Sequence, residues 1–372
     1  MKSRFLSIDW LLILFILPVL LAGLVTMKSF TEATPFFSHQ LVWIGVSFVA
    51  FFSLSFIDFR FLKRTEILVT IFGIFSALLL LLFIFGHTSN GAQSWFSFGI
   101  FSFQPSDMMK LVVILMLSKY FSRRHVEIDN FKHIFISGLY AFIPFLLVFL
   151  QPDFGSAIVI LFIWIGMTLV SGISRKYFLI VLGAGIIAFI GLWFFVFQPY
   201  QKARIETFIN PMSDIRGTGY NVYQSTIAVG SGQITGKGVG FGTQSRLKFL
   251  PEYQTDFIFA AFVEEWGFVG AMILFLLFAL ILWRILHIAL LGATNFEILY
   301  GVGLSIYFMS HFIVNIGMNI GIMPVTGITL PFMSYGGSHL LTEFVGLGIL
   351  MGMNRYKRVA HRDDMKNEFL GI

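Results

Sequence analysis

Long apolar blocks separated by short polar segments set the pattern of this chain. The blocks lie at roughly 10–26, 39–57, 66–86, 105–121, 133–150, 154–172, 177–197, 257–286, 296–318 and 337–353. Each reaches about 17–25 residues or more, the length needed to cross a bilayer. They predict ten transmembrane helices and an all-α, polytopic integral membrane fold. The first block lacks a small-residue cleavage site and is followed by further blocks, so it predicts a retained helix and not a removed signal peptide.

Lys and Arg in the polar intervals orient the blocks. With the N-terminus inside, the inner segments hold seventeen of them, from Lys2 and Arg4 to Arg362 and Lys366, whereas the short outer loops hold only Lys28. Cytoplasmic loops carry such an excess, so both termini are expected in the cytoplasm. One long extracytoplasmic loop, about 198–255, joins helices 7 and 8 and carries Lys202, Arg204, Arg216, Lys237, Arg246 and Lys248. Long loops are largely exempt from the charge rule. The chain reads as a single transmembrane domain over 1–372 with a cytoplasmic tail from about 355. The short inner loops leave no room for a soluble catalytic domain.

Composition agrees. Hydrophobic residues make up 57% of 372 positions, with 47 Phe and a mean hydropathy of +0.85, against roughly 45–50% apolar content in soluble domains. The net charge of +6 is accounted for by positive-inside loops and predicts no nucleic-acid partner. The absence of cysteine excludes disulfides and thiolate chemistry. The eight His show no metal-ligand spacing and are read as structural. The Gly-rich run AVGSGQITGKGVGFGTQ imitates a phosphate loop, but Ser231 stands where the first Walker glycine belongs and Gly238 where Ser or Thr belongs. It is read as a flexible, turn-rich loop near lipid headgroups.

Polar residues of chemical interest gather towards the outer ends of the helices. Asp256 sits where a polar loop runs into the eighth block, and a carboxylate at a water–hydrocarbon boundary marks a site. In WFSFGIFSFQPSDMMK, Pro105 suits the first helical position and Asp107 the first turn, with Lys110 one turn on and able to pair with it. A second Pro-Asp start occurs at Pro152-Asp153. Glu264 and Glu265 lie about two turns beyond Asp256 and, at 100° per residue, cannot both face one cavity; at least one is read as structural. The uncharged, Gly- and Pro-rich segment NIGMNIGIMPVTGITLPFMSYGGS implies irregular backbone at membrane depth, tolerated only where protein buries it or water lines it. Together these features predict an outward-opening polar cavity.

The segments FQPSD, QPDFGSA, QSTIAVGSGQITGKGVGFGTQSRLKFLPEYQTDFIFAAFVEEWG and NIGMNIGIMPVTGITLPFMSYGGS closely resemble the SEDS family (shape, elongation, division and sporulation). The combination GTQS, FLPE, TDFIF and SYGGS is more similar to the elongation branch than to the division branch. The resemblance implies a peptidoglycan glycosyltransferase of the bacterial cytoplasmic membrane that polymerises lipid II with release of undecaprenyl pyrophosphate. It also implies a class B penicillin-binding protein as transpeptidase partner. It maps the essential catalytic carboxylate to Asp256, the lysine that follows the family's FQPSE to Lys110, and the QPD aspartate to Asp153. Many members carry Glu where this chain has Asp107, a side chain one methylene shorter. Gln104 and Ser334, within the matching motifs, join the expected substrate-binding set.

A β-1,4 bond made from an α-linked lipid donor requires inversion, so the acceptor hydroxyl needs a base, and Asp256 is the expected one. The departing pyrophosphate needs cations; Lys110, Arg204 and Lys248 are the candidates, and a divalent cation such as magnesium is a further one. Trp95 is positioned to stack on sugar or to sit in the interfacial aromatic belt, and the belt is the simpler reading. A lipid II flippase would also place charge in an intramembrane cavity but would need a route to the inner side. A noncatalytic scaffold gives no reason for the acid at the mouth of helix 8.

Overall fold

The computed structural model describes residues 8–29, 36–89, 92–98, 101–123, 131–172, 174–195, 202, 206–208, 218–247 and 249–370. Its principal helices are α1 (Trp10–Ser29), α2 (Phe36–Ser55), α3 (Thr65–Phe85), α4 (Pro105–Ser122), α5 (Phe131–Leu150), α6 (Phe154–Val170) and α7 (Arg175–Phe195). Then come α8 (Thr218–Ser231), the short α9 (Thr243–Arg246), α10 (Ile258–Leu290), α11 (Asn295–Asn319) and α12 (Gly337–Leu370). Each of the ten apolar blocks holds a helix over most of its described residues. Six helices, α1, α2, α3, α5, α10 and α11, are long and apolar enough to cross a membrane by length and composition.

Two departures from the all-α expectation matter. A three-stranded antiparallel sheet, β1 (His87–Ser89), β2 (Ala92–Phe98) and β3 (Phe101–Phe103), fills the interval before α4. FSF in β3 alternates with the period 2 of a strand, and SWFSF in β2 is rich in the aromatic residues that strands favour. Secondly, the part of the long segment before α10 that is described from residue 218 on is built rather than loose: α8 packs against α10 and α11.

α4 lies at the centre, packed against α3, α6 and α11, with nearly every residue from Pro105 to Ser118 buried. A helix enclosed by other helices shows no face to lipid, so it can carry Asp107 and Lys110 where a lipid-facing helix could not. Around it, α12 packs along α2, α10 along α1 and α11, and α5 along α6. Small residues permit this closeness: a Cβ on Gly348 would stand 2.9 Å from the Leu54 Cβ and one on Gly303 2.6 Å from the Ile114 side chain.

Ion pairs fix one end of the bundle. Arg284 of α10 donates from Nη2 to Asp9 Oδ2 at 2.5 Å, just before α1, and Lys63 pairs with Glu297 of α11 at 2.8 Å. Lys119 of α4 donates to the Lys63 carbonyl at the same end. The starts of α6 and α10, with Asp153 and Asp256, lie at the opposite end.

α10 is not one continuous helix. Gly267 breaks it with φ 68° and ψ −167°, a conformation open essentially to glycine alone. The backbone of the Gly-rich segment fills the break: Lys237 and Gly238 N–H groups donate to the Glu264 and Glu265 carbonyls, and Phe268 and Val269 donate to Gln233 and Ile234. The run expected to be a flexible headgroup loop is instead knitted into α10.

Candidate active site

Three helix starts and the segment between α11 and α12 meet at one end of the bundle. α4 opens with Gln104 in extended conformation and Pro105 at its first position, as the sequence predicts. Asp153 caps α6: its Oδ1 accepts the Ser156 N–H at 3.0 Å. Its Oδ2 accepts from Gln104 Nε2 at 2.9 Å and from Ser106 Oγ at 3.4 Å. The Gln104 N–H donates to Ser338 Oγ at 3.0 Å, which adds the start of α12. Gln104 and Asp153, expected separately as substrate contacts, are thus partners of each other.

Residues 326–328 run between the α6 and α10 starts. A Cβ on Gly155 would lie 2.5 Å from the Thr326 carbonyl oxygen and 2.8 Å from the Ile328 side chain, so the segment rests directly on the first turn of α6. On its other side Gly327, at φ +72°, places a built Cβ 3.7 Å from Asp256 Oδ2. The half-buried Asp256 carboxylate therefore faces a stretch of backbone bared by glycine.

The surroundings of Asp256 are tightly specified. Ser334 accepts the Leu330 N–H at 2.8 Å and donates to the Thr255 carbonyl at 2.7 Å, while the Tyr335 N–H donates to the Gln254 carbonyl at 2.8 Å. Gln40 of α2 donates to the Ser334 carbonyl at 3.2 Å. Ser334 was expected to touch substrate; its hydroxyl proton is instead committed to holding the approach to Asp256. The Asp256 carbonyl accepts from Asn315 Nδ2 and Asn319 Nδ2, each at 3.0 Å.

Lys110 and Asp107 pair as their spacing predicts, Nζ to Oδ1 at 2.9 Å, but within a larger buried cluster. Lys110 Nζ stands 3.4 Å from His311 Nε2, and Asp107 Oδ1 3.5 Å from His339 Nδ1. His339 Nε2 lies 3.0 Å from Glu343 Oε1, and Glu343 Oε2 accepts the Phe332 N–H at 3.0 Å. His311 Nδ1 lies 3.3 Å from the Thr329 carbonyl oxygen. With Lys110 only 1% exposed, its ammonium is spent on these neighbours. Lys110, the cation expected to meet the pyrophosphate, is here enclosed within the bundle and paired with Asp107.

The sequence reading takes His311 and His339 with the other histidines as structural and assigns no individual role to Asn315, Asn319 or Glu343. A signal was present. Tyr307, His311, Asn315 and Asn319 recur every four residues along α11, and His339 and Glu343 are four apart in α12, which places each set on one helix face.

Glu264 and Glu265 serve one structure from two directions. Glu264, fully buried, accepts from Lys237 Nζ at 2.7 Å, the Gln244 N–H at 3.0 Å and Thr243 Oγ1 at 3.1 Å. Glu265 accepts the Gly240 N–H at 2.6 Å. Both carboxylates anchor the Gly-rich segment, in line with the structural reading.

Trp95 is half-buried in β2, opposite His87, in a sheet packed over the start of α4. Arg204 and Lys248 lie outside the described residues. A cavity of about 440 Å³, lined by Lys63, Lys119, Ser122 and residues 293–296, sits at the opposite end of the bundle and contains none of these groups. Among the described residues no three His, Asp or Glu side chains converge as a metal cage.

Residues 4–359 match the family of cell cycle proteins that comprises FtsW, RodA and SpoVE. The chain is 36% identical over 370 residues to stage V sporulation protein E of Bacillus subtilis (strain 168), covering 96% of this chain and all of that protein. It is 41% identical over 282 residues to peptidoglycan glycosyltransferase MrdB of Escherichia coli (strain K12), covering 75% of each. Among solved structures, a chain from a study of how a peptidoglycan synthase complex coordinates polymerization and crosslinking matches with a TM-score of 0.81 at 29% identity, over 94% of this chain and 98% of that one. The crystal structure of Thermus thermophilus rod shape determining protein RodA matches with a TM-score of 0.70 at 27% identity, over 95% and 99%.

Proposed function

Because the chain belongs to the FtsW, RodA and SpoVE family, we propose that it is a peptidoglycan glycosyltransferase that polymerises lipid II in the bacterial cytoplasmic membrane. The observation that carries the reading is the placement of Asp256. It is a half-buried carboxylate at a helix start, its main chain fixed by two asparagines and its side chain turned to the bared backbone at Gly327. The name of MrdB as a peptidoglycan glycosyltransferase supports the activity. The ten helical blocks and the loop charges support ten spans with both termini inside and Asp256 outside. The elongation role rests on the motif resemblance to RodA, and the likeness to a chain of a synthase complex supports a class B penicillin-binding protein as partner.

Asp256 acts as general base. It takes the proton of the acceptor's 4-hydroxyl as that oxygen attacks the anomeric carbon of the donor, the glycosidic bond to pyrophosphate breaks, and undecaprenyl pyrophosphate departs with inversion. A positioned base of this kind contributes about 10²–10⁴-fold. Gln104, Asp153 and Trp95 border the approach to the site, and Arg204 and Lys248 are the cations proposed to meet the pyrophosphate. Lys110 and Asp107 act from beneath, by holding α4, α11 and α12 in register. A divalent cation would draw its ligands mainly from pyrophosphate and water, and no step is assigned to it.

A reconstitution separates this reading from a flippase or a scaffold. Protein with its penicillin-binding partner in vesicles containing lipid II is assayed for muramidase-sensitive glycan and for movement of lipid II between leaflets. Polymer is expected. Lipid movement without polymer would establish the flippase instead, and neither would leave a scaffold.

A further inference from the structure

Asn319 interrupts the first hydrogen bond that α10 would otherwise form. In a regular helix the N–H of residue 260 donates to the carbonyl of residue 256. Here the Ala260 N–H donates to Asn319 Oδ1 at 3.1 Å, and Asn319 Nδ2 donates to the Asp256 carbonyl at 3.0 Å. A side-chain amide is thus inserted between the two backbone groups. The next bond, Ala261 N–H to Phe257 carbonyl at 3.1 Å, is an ordinary helical one. The partners fix the amide orientation, since an N–H can only donate and a carbonyl can only accept.

The inserted amide is braced by a further bond, Asn319 Nδ2 to the Asn315 carbonyl at 2.8 Å, and the groups around it are held in turn. Asn315, one turn earlier, donates from Nδ2 to the same Asp256 carbonyl at 3.0 Å and to the Ile328 carbonyl at 2.7 Å. Ser225 of α8 donates to the Asn319 main-chain carbonyl at 2.7 Å. Both asparagines are completely buried, where an amide is retained only if its bonds are made. The Ile328 bond also ties down the segment that Asp256 faces.

We infer that Asn319 and Asn315 are positioning residues that hold Asp256 out of the α10 helix, so that its carboxylate faces Gly327 instead of turning with the helix. The inference rests on the reading of Asp256 as the base. Without the wedge, the Asp256 carbonyl and Ala260 N–H are free to close on each other, which adds Asp256 to the first turn of α10 and rotates its side chain. Misplacement by about 1 Å costs on the order of 10²-fold in turnover.

The test compares Asn319→Ala, Asn315→Ala, Asn319→Asp and Asp256→Asn in the lipid II polymerisation assay, with unfolding midpoints in detergent. Asn319→Asp keeps the acceptor for the Ala260 N–H and loses the donor to Asp256, so it decides the matter if the alanine variants fail to fold. The expected result is a loss of roughly 10–100-fold in kcat with KM for lipid II changed by less than about 3-fold. A folded Asn319→Asp with kcat within about twofold of the parent, while Asp256→Asn is inactive, would overturn the inference and leave the base assignment standing. A rise in KM with kcat unchanged would also overturn it, because that marks uniform substrate binding. Full activity of Asp256→Asn would instead remove the reading on which the inference rests.

Discussion

The Lys110 ammonium stands 2.9 Å from Asp107 Oδ1, with both side chains enclosed at the centre of the bundle. Neither charge has water to fall back on, so removing one partner strands the other, a loss worth about 3–5 kcal/mol. Lys110→Met alone is therefore expected to lower the unfolding midpoint steeply, and Asp107→Asn to do likewise. The double variant recovers a substantial part, since it removes both charges together. A double-mutant cycle of unfolding in detergent measures this coupling; additive losses would show that the pair does not act as a unit.

Glu264 is the anchor of the Gly-rich segment. Glu264→Ala leaves Lys237, Thr243 and the Gln244 N–H without their shared acceptor, and a cost of about 3 kcal/mol is expected for breaking such a buried set. Lys237→Ala costs less than that, because Glu264, although fully buried, keeps the Gln244 N–H and the Thr243 hydroxyl when the lysine is lost. Limited proteolysis across residues 232–245 reads the difference directly: cleavage rises sharply for the glutamate variant and little for the lysine one.

Gly267→Ala places a methyl group on a backbone at φ 68° and ψ −167°, with the Ile234 carbonyl oxygen 2.6 Å from the new carbon. Backbone strain of this type costs on the order of 1–3 kcal/mol, and the contact adds to it. The expected outcome is a lowered unfolding midpoint together with release of the Gly-rich segment. By contrast a Cβ at Gly183 meets nothing within 4 Å among the described residues, and Gly183→Ala is expected to leave the midpoint unchanged or slightly raised.

Asp153 has two jobs on separate oxygens. Asp153→Ser keeps an acceptor for the Ser156 N–H and loses the Gln104 bond, whereas Asp153→Ala loses both. The alanine variant should lose about 1 kcal/mol of stability through the cap, and the serine variant only a few tenths. Equal destabilisation of the two would show that the cap contributes nothing.

Much of this architecture is legible along the chain because membrane helices announce themselves by length and apolarity. The same holds for local signals: Pro105 and Asp153 start their helices, and Asp107 and Lys110 meet because they are one turn apart. What depends on distant segments is not legible in that way. The fully buried Glu264 gets its meaning from Lys237 and Gln244, which only the folded segment brings to it. The break at Gly267 looks like any glycine in an apolar run until the Gly236 backbone is laid against it. The stripe Tyr307, His311, Asn315 and Asn319 was readable by period, yet its purpose appears only when Asp256 and Thr329 arrive from elsewhere. The sheet at 87–103 was hidden by brevity, its strands being three to seven residues long.

The central claim is that the Asp256 carboxylate does the chemistry. It is tested most directly by following glycan formation from lipid II with the parent protein and with Asp256→Asn, while lipid II binding is measured on the same preparations. The account predicts that polymer formation by the variant falls by about 10²–10⁴-fold while binding changes by no more than about 3-fold. Polymer formation within about twofold of the parent, at equal binding, would contradict it.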